Sequence, residues 1–421
     1  MKSVSIIAAT ISGNRGAEAM LTTTIGEIRQ RYPDCHFNVY SYYPTKDRAL
    51  VSDRNISIYS ATPLSIVTLL FPFSILYGIC KFPLLNKLLK LFPSAIKALD
   101  TSDLLLDLAG VAFIDGREKF LPYNVLTLAP AFILKTPVIK LSQALGPFDN
   151  RFNRMLAVPT LKRCQQIFAR GQGTHQNLKS IGLHNLFPTP VSDVAFLHQA
   201  KYSLTDENLD KVSQLSEKLR NETKRVIGIC PSSVLAAKLH DGNSHYIESL
   251  IELCNNLISQ GFTILLFPNA TRADQEVKLR NNDLPVIKLI HDRLIADNLQ
   301  SQSVIYSVSF DINTNGIKQL MQSCKIVLVS RFHAMIAALS SQQPVIVIGW
   351  SHKYQEVMET FELGESVYDF SQIEMDKLIS AINLNINAYD AIVRNLKKHK
   401  QTILESSSQQ FQYLFNIIEQ K

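Results

Sequence analysis

Short runs of apolar, largely β-branched residues alternate with longer segments of helical periodicity along the first half of the chain. Apolar residues recur at helical spacing over 17–32, which predicts a helix there. The apolar runs predict five strands, at 4–10, 37–43, 103–110, 137–147 and 165–171. Strands that are apolar throughout and are separated by helices predict a parallel sheet covered on both faces.

The second half of the chain repeats this pattern. A strand is predicted at 225–233, a helix at 244–261 and a strand at 262–269. Four further apolar runs are predicted as strands: VIKLI (286–290), VIYSV (304–308), IVLVS (326–330) and PVIVIGW (344–350). Because 421 residues exceed one ordinary domain, the fold predicted is α/β, with two Rossmann-like, doubly wound domains.

Domain boundaries follow from a polar, charged stretch between the two halves. Residues 198–224 are predicted to form a linker helix. The N-terminal domain is therefore assigned to 1–197 and the C-terminal domain to 225–371. Residues 372–421 have a helical pattern and are expected to pack back across the first domain.

One segment of the N-terminal domain, 55–97, departs from this pattern. It has no charged residue as far as Cys80 and then carries four lysines, Lys81, Lys87, Lys90 and Lys97. A spanning helix needs about 20 predominantly apolar residues, and Pro63 and Pro72 interrupt this run. Two interpretations stay open: a basic amphipathic stretch that contacts a membrane surface, and an insertion that packs on the domain.

Charge and motif content exclude several classes of protein. The formal charge is +7, without a run of five basic residues, so no nucleic-acid partner is expected. Six cysteines without a C-x-x-C pair argue against a disulfide framework and a zinc site. Neither G-x-G-x-x-G nor a P-loop is present, so no cofactor and no metal are expected. The N-terminus resembles a first strand rather than a signal peptide, which predicts a cytoplasmic protein and leaves open peripheral contact with the inner face of the cell membrane.

Cationic side chains follow two successive predicted strands near the C-terminus. Arg331 and His333 come after the strand at 325–330, and Lys353 comes after the strand at 344–350. Carboxyl ends of neighbouring parallel strands share the edge where doubly wound sheets bind ligands. Arginine grips a carboxylate or phosphate with two hydrogen bonds, lysine adds a point charge, and histidine moves protons near neutral pH. The three residues predict a site for an anionic substrate.

The residues SRFHA (330–334) and PVIVIGWSHKY (344–354) resemble the signature of the polysaccharide pyruvyl transferase family. Further stretches are similar to family motifs along almost the whole chain, at 12–20, 102–115, 142–148, 168–174, 192–196 and 261–269. Four positions depart from the usual family residue: Ala17, Gly171, Asn269 and Phe332. The departures fall mainly on the side of the acceptor.

The resemblance implies a glycosyltransferase-B-like fold with its active site in a cleft that the two domains face. It implies that the enolpyruvyl unit of phosphoenolpyruvate moves onto two hydroxyls of one sugar, in a cell-surface polysaccharide (an exopolysaccharide) or its precursor. The products are a pyruvate ketal and phosphate. The acceptor is expected to be a sugar within a lipid-linked or nucleotide-linked glycan intermediate.

The resemblance also implies roles for individual residues. Arg331, His333, Lys353 and Arg170 are predicted to bind the donor, and His333 to transfer a proton, either to C3 or to the departing phosphate. Glu18, Asp115 and Asp193 are candidate bases for the hydroxyls, and Glu18 is counted with the catalytic residues. The predicted acceptor side comprises Gly13, Asn14, Arg15, Gly16, Asp115, Gln143 and Asp193.

Two other interpretations of this pattern stay open. One is a glycosyltransferase of the same architecture that uses a nucleotide sugar as donor. The other is a non-catalytic glycan-binding or membrane-binding relative, which the residues at 17 and 171 allow. Retention of all three cationic or titratable groups at matching turns argues against the second.

Overall fold

The computed structural model describes residues 2–238, 245–272, 282–297, 303–349, 352–369, 371 and 374–419. The chain divides into two compact units. The first unit comprises Met1–Ile11, Met20–Leu204 and Leu404–Lys421. The second unit comprises Ser12–Ala19 and Thr205–Ile403.

A parallel sheet forms the centre of the first unit. Strands are numbered along the chain, and those of this sheet are β1 (Ser3–Ile7), β3 (His36–Ser41), β4 (Ile56–Ser60), β5 (Leu104–Asp107), β6 (Val111–Ala112), β7 (Val138–Leu145) and β8 (Gln166–Ala169). Their order is β4-β3-β1-β5-β7, and both β6 and β8 pair with β7. Every described pair is parallel. The apolar sequences are explained by burial on both faces.

Helices cover this sheet, and their apolar residues pack with those of the strands and loops in an extended core cluster. The helix α1 (Arg15–Arg31) contributes residues to both units. The remaining helices of the first unit are α2 (Pro44–Leu50), α3 (Pro63–Ser65), α4 (Phe71–Cys80), α5 (Ser94–Thr101), α6 (Leu121–Leu126), α7 (Ala129–Leu134), α8 (Arg151–Lys162) and α9 (Gly171–Ser180). A π-helical turn, Ile66–Leu70, joins α3 to α4. Short 3-10 turns lie at Asn86–Leu91, Glu118–Phe120, Val194–Leu197 and Ala200–Tyr202.

A second parallel sheet forms the centre of the second unit. Its strands are β9 (Val226–Cys230), β10 (Thr263–Leu266), β12 (Ile305–Ser307), β13 (Ile326–Val329), β14 (Val345–Gly349) and β15 (Val367–Asp369). Their order is β12-β10-β9-β13-β14-β15, so the chain reverses its direction of travel across the sheet between β9 and β13. A two-stranded antiparallel ribbon pairs β2 (Gly13–Asn14) with β11 (Ala270–Thr271).

The helices of the second unit complete its core. They are α10 (Leu209–Arg220), α11 (Ser233–Lys238), α12 (His245–Ser259), α13 (Leu284–Asp297), α14 (Thr314–Met321), α15 (Phe332–Ser340), α16 (His352–Glu359) and α17 (Met375–Asn387), with a 3-10 turn at Gly364–Ser366. A final long helix, α18 (Tyr389–Glu419), contributes to both units. The six cysteines are free thiols.

The prediction of two α/β domains with parallel sheets is confirmed, but one predicted strand is wrong. Residues 286–290 lie within α13, where Val286, Ile287 and Ile290 are buried and Leu289 is exposed. This spacing is that of a helix face. A five-residue apolar run is too short to distinguish a strand from a buried helix turn. Five strands were not predicted: β4, β15 and the two-residue strands β2, β6 and β11.

The two units differ from the predicted domains in three places. Residues 12–19 belong to the second unit, although the sequence analysis assigned them to 1–197. The predicted linker contains α10, which is part of the second unit. Residues 372–421 were expected to pack back across the first domain. Residues 404–421 do belong to the first unit, where Ser407 donates from its hydroxyl to the backbone oxygen of Asp193, but the described residues from 374 to 403 belong to the second unit.

Candidate functional site

Arg331 lies at the point where β13 ends and α15 begins. The strand is a fully buried Ile-Val-Leu-Val run, and the helix sequence that follows is rich in alanine, methionine and leucine, which favour helix. Arg331 is the N-cap residue of α15, with extended backbone angles of φ −119° and ψ 131°. This position follows β13 at the strand-order reversal, where doubly wound sheets hold ligands.

Asp283 holds the guanidinium of Arg331 from one side. The Nε of Arg331 donates to both carboxylate oxygens, at 3.1 and 3.2 Å, and Nη2 donates to Oδ1 as well. Nη2 also donates to the Ser233 hydroxyl at 2.8 Å. Because Ser233 follows β9, this bond crosses the reversal point between β9 and β13. Burial works to lower the pKa of Arg331, but the charge and hydrogen bonds of Asp283 outweigh it and raise that pKa.

One terminal nitrogen of Arg331 points away from these partners. Within the described part of the chain, Nη1 makes no hydrogen bond. The Arg331 side chain is 14% exposed and that of Asp283 is 0% exposed. A guanidinium fixed along its Nε edge therefore keeps donors on Nη1 for an anionic ligand.

Asp283 also orders the loop that follows β10. Its Oδ2 accepts from the backbone N–H groups of Asn269 and Ala270, at 3.1 and 2.9 Å, and its Oδ1 accepts from the N–H of Ser233 at 2.9 Å. One buried carboxylate thus fixes the residues after β9, β10 and β13 together. No local pattern in the sequence points to Asp283, which follows a segment without a distinctive motif.

His333 is the second residue of α15 and lies against the glycine turn at 13–16. A methyl group on Gly16 would come within 2.2 Å of Cγ and Nδ1 of His333, so only glycine fits there. The turn is fixed by the pairing of β2 with β11 and by a bond from the Arg15 N–H to the Asn269 oxygen at 3.1 Å. These four residues were assigned to the acceptor side, in the N-terminal domain. The structure places them in the second unit, beside His333.

Lys353 is the second residue of α16 and follows β14. Its Nζ lies 5.2 Å from the centre of the Phe332 ring and 5.4 Å from that of Tyr354. The Phe332 ring also meets the His333 ring edge to face, with centroids 5.3 Å apart. Tyr354 in turn is close enough to Arg331 to contribute to its pKa. Two aromatic rings therefore connect Arg331, His333 and Lys353 at adjacent strand ends.

Glu18 is buried in a polar cluster of its own. Its Oε2 accepts from Arg15 Nη1 at 2.9 Å and from the N–H and hydroxyl of Thr314, each at 3.2 Å. Thr314 is the first residue of α14, and it also donates to the Arg15 backbone oxygen at 3.0 Å. Burial raises the pKa of Glu18, against the opposing effects of Arg15 and Thr314.

A family model described as polysaccharide pyruvyl transferase matches residues 14–352, a range that includes Arg331 and His333. The chain belongs to the polysaccharide pyruvyl transferase family. It is therefore a transferase of polysaccharide biosynthesis by family, as the resemblance of its motifs implied.

Solved structures show what fold this family member shares with other proteins. It is similar to UDP-GlcNAc 2-epimerase from Neisseria meningitidis bound to UDP-GlcNAc, at 16% identity and a TM-score of 0.61, with 100% of both chains covered. It is similar to HepE from Anabaena in complex with UDP and glucose, at 15% identity and a TM-score of 0.55, again over 100% of both chains. A third match is UDP-GlcNAc 2-epimerase from Methanocaldococcus jannaschii, at 16% identity and a TM-score of 0.58, over 92% of this chain and 93% of that one. These likenesses confirm the predicted two-domain, GT-B-like fold.

The first unit of this pyruvyl transferase relative brings three other predicted residues together. Arg170 follows β8, and its Nη1 donates to Asp193 Oδ2 at 2.7 Å while Nη2 donates to the Gly110 oxygen at 3.0 Å. The Arg170 N–H donates to the backbone oxygen of Gln143 at 2.9 Å. Arg170 was predicted on the donor side and Asp193 on the acceptor side. The structure pairs them in one unit, whereas Arg331 belongs to the other.

Asp115 lies apart from these contacts, in a loop of the first unit. Its Oδ2 accepts from the N–H groups of Asp149 and Asn150, at 2.8 and 3.0 Å, and its Oδ1 accepts from the Asn153 side chain at 2.7 Å. Both oxygens thus fix the start of α8. Its proposed role as base stays a prediction.

Several features of the sheet edge in the first unit were missed by the sequence analysis. Lys140 in β7 forms a buried ion pair with Asp107 at the end of β5. Ser142 in β7, with φ 34°, and Ala8 after β1, with φ 64°, have the left-handed backbone that is costly for non-glycine residues and clusters at functional sites. A lysine inside the apolar run PVIKLSQAL was the available signal.

Three tyrosines lie beyond the same strand ends. Tyr42 and Tyr43 follow β3 with ring centroids 5.0 Å apart, and Tyr42 meets Tyr123 of α6 at 6.3 Å. Burial raises the pKa of Tyr123, and the nearby charges of Tyr42 and Asp107 add to the effect. We call Tyr42, Tyr43 and Tyr123 the tyrosine cluster.

Among the described residues, no group of three or more histidine, cysteine or acidic side chains is placed to hold a metal ion.

Proposed function

We propose that this protein transfers the enolpyruvyl unit of phosphoenolpyruvate to two hydroxyls of one sugar. The observation that carries the proposal is the attachment of Arg331 to Asp283 beside His333 and Lys353, at the ends of adjacent parallel strands. The donor bears a carboxylate and a phosphate, so it requires several preorganised positive groups. Arg331 Nη1, Lys353 and the N-termini of α15 and α16 supply them.

The chemistry is a double addition at one carbon. A proton adds to C3 of the enol and leaves C2 electron-deficient, and the first sugar hydroxyl then bonds to C2 and loses its proton. The second hydroxyl displaces phosphate from C2, and its proton leaves with the phosphate. The two protons that the hydroxyls lose balance the one that forms the new C–H bond and the one that leaves on phosphate, so the reaction involves no oxidation or reduction.

His333 is the group proposed to move a proton in these steps, because an imidazole can both donate and accept one. Its position beside Gly16 and Phe332 fixes the ring. Two transfers compete for this role: delivery to C3 and protonation of the departing phosphate. A His333→Ala enzyme that accumulates a phosphate-bearing sugar adduct would assign His333 to phosphate departure, and one that leaves phosphoenolpyruvate intact would assign it to C3.

Glu18 is proposed to position the glycine turn rather than to act as a base. Its oxygens are engaged by Arg15 and Thr314, and its side chain is only 2% exposed. Asp115 and Asp193 are likewise proposed to stabilise the structure around them rather than to act as bases, because each already accepts hydrogen bonds within the first unit. The acceptor sugar is proposed to bind at the sheet edge of the first unit, where the tyrosine cluster offers aromatic faces next to polar groups.

The test is release of phosphate from phosphoenolpyruvate by the full chain, with UDP-sugars and lipid-linked sugars as acceptors. The expected product gains the mass of one pyruvate less one water. Arg331→Ala and His333→Ala should abolish release, while Lys377→Ala, on an exposed pair of α17, should not. Activity that survives both active-site substitutions contradicts the proposal.

A nucleotide-sugar donor is the second candidate function, because two of the similar structures were solved with UDP or UDP-GlcNAc. Thermal stabilisation by phosphoenolpyruvate supports pyruvyl transfer. Stabilisation by UDP-sugars or GDP-sugars alone, together with release of the nucleoside diphosphate on addition of a glycan, supports glycosyl transfer instead.

A further inference from the structure

Apolar side chains cover the solvent-facing side of the segment between β4 and α5. Leu84 is 88% exposed and Leu91 is 80% exposed, which is unusual for leucine. Exposed neighbours in the same segment include Leu64, Val67, Leu76, Ile79, Phe82 and Leu88. A contiguous apolar surface of this kind marks an interaction site rather than an ordinary solvated surface.

The helical stretch from Pro63 to Cys80 is apolar on both of its faces. Ile66, Leu70 and Tyr77 point into the core of the first unit. The opposite side exposes leucine, valine and isoleucine where a surface helix of a soluble protein carries polar residues. The first face is explained by packing within the unit, and the second requires an apolar environment from outside.

The 3-10 turn Asn86–Leu91 is held next to this helix. The ring of Phe92, directly after the turn, meets Phe73 and Tyr77 edge to face, with centroids 6.2 and 5.1 Å apart. The exposed leucines of the turn and those of the helix therefore belong to one ordered surface. We call residues 64–91 the apolar surface.

Charge indicates what covers the apolar surface. Between Arg54 and Asp100 the sequence has four lysines and no acidic residue. Lys81 pairs with Asp100, and Lys97 donates to the backbone oxygen of Lys90 at 3.2 Å. Lys87 and Lys90 stay exposed among the leucines. Leucines interspersed with lysines complement a bilayer surface that contains anionic lipid.

We propose that the apolar surface docks the first unit onto an anionic lipid bilayer, with its leucines in the acyl boundary and Lys87 and Lys90 at the headgroups. Pro63–Cys80 is, by length and composition, the one described helical stretch apolar enough to cross a membrane. Crossing would remove Ile66, Leu70 and Tyr77 from the core of the first unit. The segment therefore lies in the interface.

Docking would place a particular part of the first unit near the lipid. The hydroxyl of Tyr123, in the tyrosine cluster, donates to the backbone oxygen of Ala61 at 3.0 Å, two residues before the apolar helix begins. The proposed acceptor region is thus connected directly to the docking segment. This arrangement fits a lipid-linked acceptor. That consequence rests on the proposed function, whereas the docking of the apolar surface on a bilayer does not depend on it.

The experiment is sedimentation of the full chain with vesicles, without any substrate. We expect binding to vesicles of phosphatidylglycerol and phosphatidylcholine in equal parts, weakened by salt, and much weaker binding to phosphatidylcholine alone. Leu84→Glu/Leu91→Glu should reduce binding at least tenfold without a change in thermal stability, because both side chains are exposed. Lys87→Ala/Lys90→Ala should weaken binding roughly fivefold per lysine, and only on anionic vesicles.

Two matched controls and three contrary results complete the design. Leu384→Glu, at a leucine of α17 that is 67% exposed, and Lys179→Ala, at an exposed lysine of α9, should leave binding unchanged. Equal binding by wild type and Leu84→Glu/Leu91→Glu overturns the proposal. So does a dimer in solution that this double variant dissociates, which would assign the surface to a second copy. Resistance to alkaline extraction from cell membranes would indicate a spanning helix instead.

Discussion

Asp283 and Arg331 form an ion pair between a buried carboxylate and a largely buried guanidinium, in which the carboxylate binds the Nε edge and leaves Nη1 for another partner. The geometry orients the arginine before any ligand arrives. Because the same carboxylate accepts three backbone N–H groups, the orientation of Arg331 is coupled to the loops after β9 and β10. An anion bound at Nη1 thus meets a cation whose position is already fixed.

Substitution of this carboxylate tests that coupling. Asp283→Asn removes the charge but keeps the shape, so Arg331 stays buried without its counter-ion, and we expect unfolding to become easier by about 3 kcal/mol. The KM for phosphoenolpyruvate should rise roughly tenfold as the guanidinium loses its orientation. Urea denaturation and steady-state kinetics measure the two effects.

The control for this change is an exposed ion pair of the same unit. Glu374→Gln, which removes the partner of Lys377, should cost less than about 1 kcal/mol. If Asp283→Asn is as harmless as Glu374→Gln, the pair does not orient Arg331.

The contact between Gly16 and His333 gives a second prediction. Gly16→Ala places a methyl group 2.2 Å from Cγ of His333, so the ring must shift, at a cost of about 1–3 kcal/mol and with loss of activity. His333→Ala removes the ring and leaves only its Cβ, 2.6 Å away. Gly16→Ala should therefore cost less in the His333→Ala background.

A double-mutant cycle measures this coupling by chemical denaturation. Gly78→Ala in α4 is the matched control, because the heavy atom nearest to the added methyl group, Ile133 Cγ2, is 3.6 Å away. We expect it to be neutral or to stabilise by about 0.5–1 kcal/mol. Strict additivity of Gly16→Ala and His333→Ala would show that the turn and the ring do not constrain each other.

Glu18 gives a prediction of pH dependence. Its pKa in the folded protein is raised above the ordinary value of 4.5 by burial, despite Arg15 and Thr314. The folded state therefore favours the protonated carboxyl, and its contribution is fully present below 4.5 and is lost as pH rises through the raised pKa. The unfolding free energy of the wild type, minus that of Glu18→Gln, should fall from acid towards neutral pH.

Glu362 is the control, because its pKa is shifted in the opposite direction to that of Glu18. Its exposed carboxyl has a lowered pKa because Lys398 donates to it, so its smaller contribution is present at neutral pH and is lost on acidification. Denaturation of both Glu→Gln variants over the same pH range separates the two. A difference for Glu18 that grows with pH would mean that the Arg15 pair outweighs burial.

The residues that the sequence identified are those whose position follows from local rules. Arg331 and Lys353 each follow a buried β-branched strand and precede a helix, so their place at the sheet edge could be predicted from periodicity. Asp283 could not be found this way, since its role depends on backbone groups after β9 and β10 that approach it only in the folded chain. The run at 286–290 was assigned to a strand for a similar reason: only its neighbours in three dimensions show that it is a helix face.

The unit to which a residue belongs is likewise not predictable from local sequence patterns. Residues 12–19 lie at the start of the chain, but the ribbon between β2 and β11 and the bonds of Thr314 place them in the second unit. Nothing in the local pattern of the glycine turn indicates that pairing. The acceptor role of this turn stays a prediction, but its placement in the N-terminal domain rested on position along the sequence, which is a weak guide to contacts between distant segments.

Arg170 provides the last prediction, because its role on the donor side can be separated from a role in the first unit. Its guanidinium bridges Asp193 and the Gly110 oxygen through two different nitrogens. Lysine cannot make both bonds, so Arg170→Lys should destabilise the protein by about 1–3 kcal/mol. Since both terminal nitrogens have these partners, we expect the KM for phosphoenolpyruvate to change little, whereas Arg331→Lys should raise it at least tenfold. Kinetics and denaturation of the two variants, measured side by side, distinguish these roles of Arg170. An equal rise in KM for both variants would make Arg170 a donor ligand. A loss of stability confined to Arg170→Lys would make it a positioning residue of the first unit.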